Sequence, residues 1–223
     1  CLRLNGEHVE AAYHKGLLAY NKGNYEKAIG YYSISINGNP SYAFAYNDRG
    51  SAKRASGDLE GAIADYLSAL KINDSLVFIY NNLGTAYRMN KNFEEALKAY
   101  DAALQRDPKY LIALNNKGVT RFESGDLKGA QKEFESLLSV DPKNTGAYNN
   151  LSSIALKNQD YQKAKDLATR SLQFNPKNGP AYYNRGVARQ MLRDEEGCCA
   201  DWKKAYELGI TAAKSYLNAS CLH

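Results

Sequence analysis

Residues 77–110 read VFIYNNLGTAYRMNKNFEEALKAYDAALQRDPKY, and residues 111–144 read LIALNNKGVTRFESGDLKGAQKEFESLLSVDPKN. Laid over one another, the two segments share a paired Asn, a Gly two residues on, a small residue twelve after that Gly, an aromatic four further and a Pro eight beyond. The same offset of 34 runs through the chain without a gap, and such a period is the signature of a repeat architecture. Gly16, Gly50, Gly84, Gly118 and Gly186 share one phase, with Ser152 as the sixth member. The small-residue track is Ala28, Ala62, Ala96, Ala130, Ala164 and Cys198, and the bulky track is Tyr32, Tyr66, Tyr100, Phe134, Ala168 and Trp202.

Each track has a packing reason. Gly and the small residue belong where two antiparallel helices cross closely, since a larger side chain there separates the backbones. The aromatics fill the space beside the crossing. Pro40, Pro108, Pro142 and Pro176 end the second helix of their repeats, because proline lacks the N–H and clashes with the preceding turn. Asn24, Asp58, Asn92, Asp126, Asp160 and Asp194 lie eight residues after the track position, and all are N-capping types, so a second helix is expected to start there. The unit is therefore helix, tight turn, helix.

These tracks resemble the tetratricopeptide repeat across residues 9–212. The resemblance implies an all-α chain, a right-handed α-solenoid superhelix of six helix pairs set at 9–42, 43–76, 77–110, 111–144, 145–178 and 179–212. Residues 1–8 form a short polar N-terminal extension, and residues 213–223, with Ala213, Tyr216, Leu217 and Cys221 at helical spacing, read as a capping helix. Asp74 and Ile210 replace the repeat proline, Ala168 replaces an aromatic, and Glu195 stands where other repeats carry Tyr, Leu or Phe, so looser packing is expected in the fifth and sixth repeats.

Bulk composition excludes several functions. Over 223 residues the net charge of +5 is dispersed among both signs, with no basic block of the kind that grips phosphate, so no nucleic-acid partner is expected. Apolar runs fall well short of the roughly 20 residues that span a bilayer, so no membrane insertion is expected. The 3 histidines show no metal spacing, and the glycines recur for packing without forming a phosphate-cradling loop. The chain reads as a non-enzymatic interaction protein, with no cofactor and no metal.

The resemblance also says where a ligand would lie, since in this family the first helix of each repeat lines a concave groove. Two residues before the track position stand His14, Asp48, Asn82, Asn116, Asn150 and Asn184; one position earlier stand Tyr13, Asn47, Asn81, Asn115, Asn149 and Tyr183. An Asn side chain both donates and accepts, so a column of them can hold the backbone of an extended chain. The column is similar to the asparagine ladder in the repeat region of O-linked N-acetylglucosamine transferase, although Asn is also frequent here in the family at large. Asn81, Asn82, Asn115, Asn116, Asn150 and Asn184 are the expected peptide-binding residues, with Arg54 and Arg88 as a positive pair for an acidic or C-terminal group and Phe44, Phe78, Ile112 and Met191 as apolar contacts. The co-chaperone clamp for acidic C-termini does not fit, because none of the residues three before the track position is basic. A protein or peptide partner is thus expected in the groove; the alternative is a structural subunit that docks by its convex face or ends.

The stretch from Gly197 to Gly209, with Cys221 twelve residues on, resembles the C-terminal end of short tetratricopeptide proteins of Bacteroidetes-type bacteria, where export and lipid anchoring are frequent. That resemblance places a periplasmic or outer-membrane-anchored location ahead of a cytoplasmic one. In an oxidising compartment a Cys199–Cys221 bridge would staple the cap to the last repeat, while Cys198, on the small-residue track, stays a buried packing residue. Cys1 fits a lipid-carrying terminus, and an artificial boundary would leave the same residue.

Overall fold

The computed structural model describes residues 6–221, and these form thirteen helices with no strand among them. They are α1 (Gly6–Asn21), α2 (Tyr25–Gly38), α3 (Ala43–Ser56), α4 (Leu59–Ile72), α5 (Val77–Met89), α6 (Phe93–Arg106), α7 (Leu111–Glu123), α8 (Leu127–Val140), α9 (Thr145–Lys157), α10 (Tyr161–Phe174), α11 (Gly179–Met191), α12 (Glu195–Glu207) and α13 (Ala213–Ser220). Helix α1 starts at Gly6, three residues ahead of the expected start of the first repeat, so residues 6–8 are helical. Cys1 lies outside the described residues.

Two compact units divide the chain, one ending at Thr120 and the other starting at Arg121. In the first, α1 packs on α2, α3 on α4 and α5 on α6, and the first helices touch in sequence, α1 with α3 and α3 with α5. In the second, α9 pairs with α10 and α11 with α12, α9 touches α11, α8 packs on α9, and α13 packs on α12.

Local chemistry sets the helix starts. Asp58 and Asp126 accept from the backbone N–H of Gly61 and Gly129 at 2.9 Å, Asp194 from Gly197 at 3.0 Å, and Asn24 and Asp160 from Lys27 and Lys163 at 3.2 Å. Asn92 departs from this expectation and makes no side-chain cap bond. The residue before each of these caps takes a positive φ: Gly23, Gly57 and Gly125 do so freely, whereas Lys91, Gln159 and Arg193 do so at 60–64° and at a cost of about 1 kcal/mol each.

The crossing is as tight as the tracks imply. A Cβ added to Gly16, Gly50, Gly84 or Gly186 would sit 2.5 to 3.0 Å from the ring of Tyr32, Tyr66, Tyr100 or Trp202 in the same repeat. The two departures of the fifth repeat, Ser152 and Ala168, are both fully buried. The Ser152 hydroxyl donates to the Ala164 carbonyl at 2.8 Å, across the crossing of α9 and α10. In the sixth repeat Trp202 is fully buried, and Ile210 packs in the same cluster. The missing proline at Asp74 is met by Arg106, whose Nε donates to the Asp74 carbonyl at 2.7 Å.

A second period, twice the first, emerges from the packing. In repeat two Arg49 and Lys53 both bond Asp65, at 2.6 and 2.9 Å, and in repeat six Arg185 and Arg189 both bond Asp201, at 2.6 and 2.9 Å. Repeat four carries Lys117, Arg121 and Glu133 at the same places, with Arg121 3.2 Å from Glu133. Repeats three and five hold Leu83, Tyr87 and Ala99, and Leu151, Ala155 and Leu167, so an ionic filling alternates with an apolar one. Beside the apolar filling of repeat three, Leu67, Leu70, Leu83, Tyr87 and Ala99 line a cleft of about 460 Å³ in the first unit.

Candidate peptide-binding face

Within each of the two units, contact of one first helix with the next sets Asn against Asn, one residue out of phase with the repeat. Asn82 Nδ2 donates to Asn47 Oδ1 at 3.0 Å, Asn116 Nδ2 to Asn81 Oδ1 at 2.9 Å, and Asn184 Nδ2 to Asn149 Oδ1 at 3.0 Å. Each rung spans 35 residues, so the amides tie neighbouring repeats together. Burial follows: Asn47, Asn81 and Asn184 are only 5–8% exposed. The expected row of solvent-facing amides is therefore in large part a row of inter-repeat bonds. Asn82 and Asn116 stay half-buried, and no described residue pairs with the Asn82 carbonyl oxygen. Asn115 and Asn150 occupy the equivalent positions of α7 and α9 and are half-buried.

Asp48 and Tyr13 make an N-terminal rung at the same spacing with the donor and acceptor exchanged. Tyr13 Oη donates to Asp48 Oδ2 at 2.6 Å, and Asn47 Nδ2 donates to Asp48 Oδ1 at 2.8 Å. Burial raises the Asp48 pKa, and these two bonds oppose the rise. At the other end of the chain Tyr183 meets Tyr216 of α13, edge to face, with centroids 5.7 Å apart. Neither Tyr13 nor Asn47 nor Asn149 stood among the expected site residues; the signal for them was an offset of 35 in place of 34.

The apolar residues of this face stay open. Phe44 and Ile112 are 42% and 55% exposed on α3 and α7, and Phe44 stacks on Phe78 of α5 with centroids 6.0 Å apart. Arg54 and Arg88 are half-buried on α3 and α5, and Arg54 Nη1 lies 3.9 Å from the sulfur of Met89, the neighbour of Arg88. Among the described residues no group of three or more His, Cys, Asp or Glu is placed to hold a metal. No helix of the described residues is long and apolar enough to cross a membrane.

At the C-terminus a disulfide joins Cys199 to Cys221, with Cα atoms 5.6 Å apart, and Tyr216 packs on Trp202 at 4.8 Å between centroids. Cys198 is buried, its thiol points to the Glu195 carbonyl, and burial pushes its pKa up. Thiol titration of denatured, unreduced protein drawn from an oxidising compartment is expected to find Cys198 free and Cys199 and Cys221 blocked. Reduction should lower stability by about 3 kcal/mol in the chain-entropy model, and recovery of Cys199 and Cys221 as free thiols would rule the bridge out there.

Models of the tetratricopeptide repeat match residues 77–110 and 121–189, with further repeat models at 2–43 and 50–91. Among solved structures the chain is similar to PilW, described as a widely conserved type IV pilus biogenesis factor, at 17% identity and a TM-score of 0.79 over 96% of this chain and 100% of that one. It is similar to a tetratricopeptide repeat protein from Parabacteroides merdae at 19% identity and a TM-score of 0.69, covering 96% of this chain and 98% of that one. It also resembles YrrB, described as having an unusual peptide-binding site, at 18% identity and a TM-score of 0.60 over 84% of this chain and 97% of that one. No curated protein matches the sequence. With repeat models matching along the chain and helix pairs that pack as the repeat requires, the chain belongs to the tetratricopeptide repeat family.

Proposed function

We propose that this protein is an adaptor that binds an extended segment of a partner polypeptide along the first-helix face. The family supplies protein-interaction scaffolds in general. The observation that carries the finer reading is the strip of exposed Phe44, stacked Phe78 and exposed Ile112 beside half-buried amides, which offers both apolar anchors and hydrogen bonds to a backbone. Arg54 and Arg88 add positive charge for an acidic or C-terminal group.

An affinity capture from the source organism, followed by titration of the partner obtained, tests this. Because Phe44 and Ile112 are 42% and 55% exposed, replacing both with Ser should lower the melting temperature only slightly and weaken the partner at least tenfold. Replacing the half-buried Asn82 and Asn116 with Ala should weaken it roughly fivefold or more, at about 0.5–1.5 kcal/mol per amide. That variant should also melt lower, because the rungs of Asn82 and Asn116 hold repeats together. Undiminished affinity in both variants would move the site elsewhere. The cleft of Leu67, Leu70, Leu83, Tyr87 and Ala99 favours one alternative, a structural subunit docked through its second-helix side.

A further inference from the structure

The Tyr13–Asp48 rung contains a charge that packing does not require. One and two repeats along, Asn82 and Asn116 bond across the same spacing with a neutral amide, there as the donor, where Asp48 accepts from Tyr13. An aspartate in that position loses part of its hydration and gains nothing in fit. Its charge is also unmatched among the described residues. The adjacent cations on α3, Arg49 and Lys53, are both committed to Asp65, at 2.6 and 2.9 Å, and Arg54 faces Met89. The groups that do face Asp48 are Tyr13 of α1, Tyr32 of α2, and Tyr42 and Asn47 at and within α3; each of the three tyrosines feels its charge, and none is a cation.

The walls around this carboxylate have the same sign preference. The rings of Tyr13 and Tyr42 lie 5.0 Å apart between centroids at 56°, and Phe44 follows Tyr42 at 6.2 Å and 60°, so tilted aromatic faces stand beside the carboxylate. Aromatic faces are negative and attract cations within about 6 Å of the centroid. Glu10 stands near enough to Tyr42 to raise its pKa, which adds negative charge at the rim. Asp48 stays half-buried, and each of its oxygens accepts one described bond, which leaves a lone pair on each for a further donor.

We propose that Tyr13, Tyr42 and Asp48 form a receptor for a cationic side chain, the lysine or arginine of a bound polypeptide. The inference rests on the first-helix-face reading and specifies one position of its ligand: a basic residue at the N-terminal end, followed along α3 and α5 by apolar residues over Phe44 and Phe78. It also orients the segment, since Arg54 lies six residues, about 9 Å of helix rise, beyond Asp48 and prefers the opposite charge.

The full chain, labelled with nitrogen-15, is titrated with N-acetyl-arginine amide and with its neutral isostere N-acetyl-citrulline amide, and N-acetyl-lysine amide forms a third arm. The arginine probe should saturate in the millimolar range, with the largest amide shifts at Tyr13, Tyr42 and Asp48, and citrulline should bind roughly tenfold more weakly. Asp48→Asn keeps an acceptor for Tyr13, and since burial has raised the Asp48 pKa the variant should melt no lower at neutral pH; it should bind the arginine probe about tenfold more weakly. Tighter binding of arginine than lysine, or the reverse, names the residue. Equal binding of arginine and citrulline, shifts centred elsewhere, or an unchanged affinity in a folded Asp48→Asn protein would overturn the proposal. A captured partner weakened by the Phe44/Ile112 double variant but indifferent to Asp48→Asn would defeat the cation site alone. An arginine probe that binds as described, with a partner insensitive to the double variant, would defeat the first-helix-face reading alone.

Discussion

Replacing Gly84 with leucine is expected to lower the stability of the protein by about 3 kcal/mol or more, which for a chain of this size is a drop on the order of 10 °C in Tm. The reason lies in the first atom added. A Cβ at Gly84 would stand 2.7 Å from Cε1 of Tyr100, and Tyr100 is fully buried, so the ring has no solvent into which it can turn. The only relief is separation of α5 from α6, which opens the contact on which the third repeat depends. Gly30 supplies the control. It lies in α2, is exposed, and has nothing within 4 Å of its added Cβ, so Gly30→Ala should gain about 0.5–1 kcal/mol from helix propensity. Differential scanning calorimetry checks both, and a Gly84→Leu melting curve that overlays the parent would remove the packing explanation of the glycine track.

Asp201→Ala is expected to cost about 3 kcal/mol, because it strips the carboxylate from two arginines that are themselves held against the protein. Asp201 is 2% exposed and accepts from Arg185 Nε at 2.8 Å, Arg185 Nη2 at 2.6 Å and Arg189 Nη1 at 2.9 Å. The bond to Asp201 and the burial around it act on Arg185 in opposite senses, and the bond prevails, so its pKa is raised. The loss should come from the unpaired cations and not from the missing bonds. The test is a triple variant in which Arg185, Arg189 and Asp201 become Leu, Ala and Leu, the residues that repeat five carries at Leu151, Ala155 and Leu167. An apolar filling already packs that place in repeat five, so the triple variant should recover most of the stability, as replacement of a whole buried ion pair often does. Urea midpoints measure the difference, and a triple variant as weak as Asp201→Ala would show that the ionic filling is favourable in itself.

The helix pairs, their starts and their crossings were legible in the sequence because each depends on residues within one repeat. Asp58 meets Gly61 three residues away, and Gly84 meets Tyr100 sixteen away, so a period of 34 carries the information whole. The place of Ser152 on the glycine track did not reveal its bond, because the Ala164 carbonyl reaches its hydroxyl only through the crossing of α9 and α10. The candidate site was legible only in part. Its residues stand at the right places in the first helices, but their bonds run from one repeat to the next at a spacing of 35, one residue away from the period that defines the family.

What the sequence by itself determined is thus the local unit: glycine where backbones approach, an aromatic beside it, a capping carboxylate or amide at the second helix, and the small cysteine Cys198 inside. What only the tertiary structure decided is how those units spend their polar groups on one another. It paired Asn with Asn across repeats, gave Asp48 a tyrosine and no cation, and filled alternate repeats with charge. The physical reason is that hydrogen bonds and ion pairs are short-ranged and directional, so their partners depend on which helix faces lie within about 3 Å of each other, and that is a property of stacking and not of any single repeat.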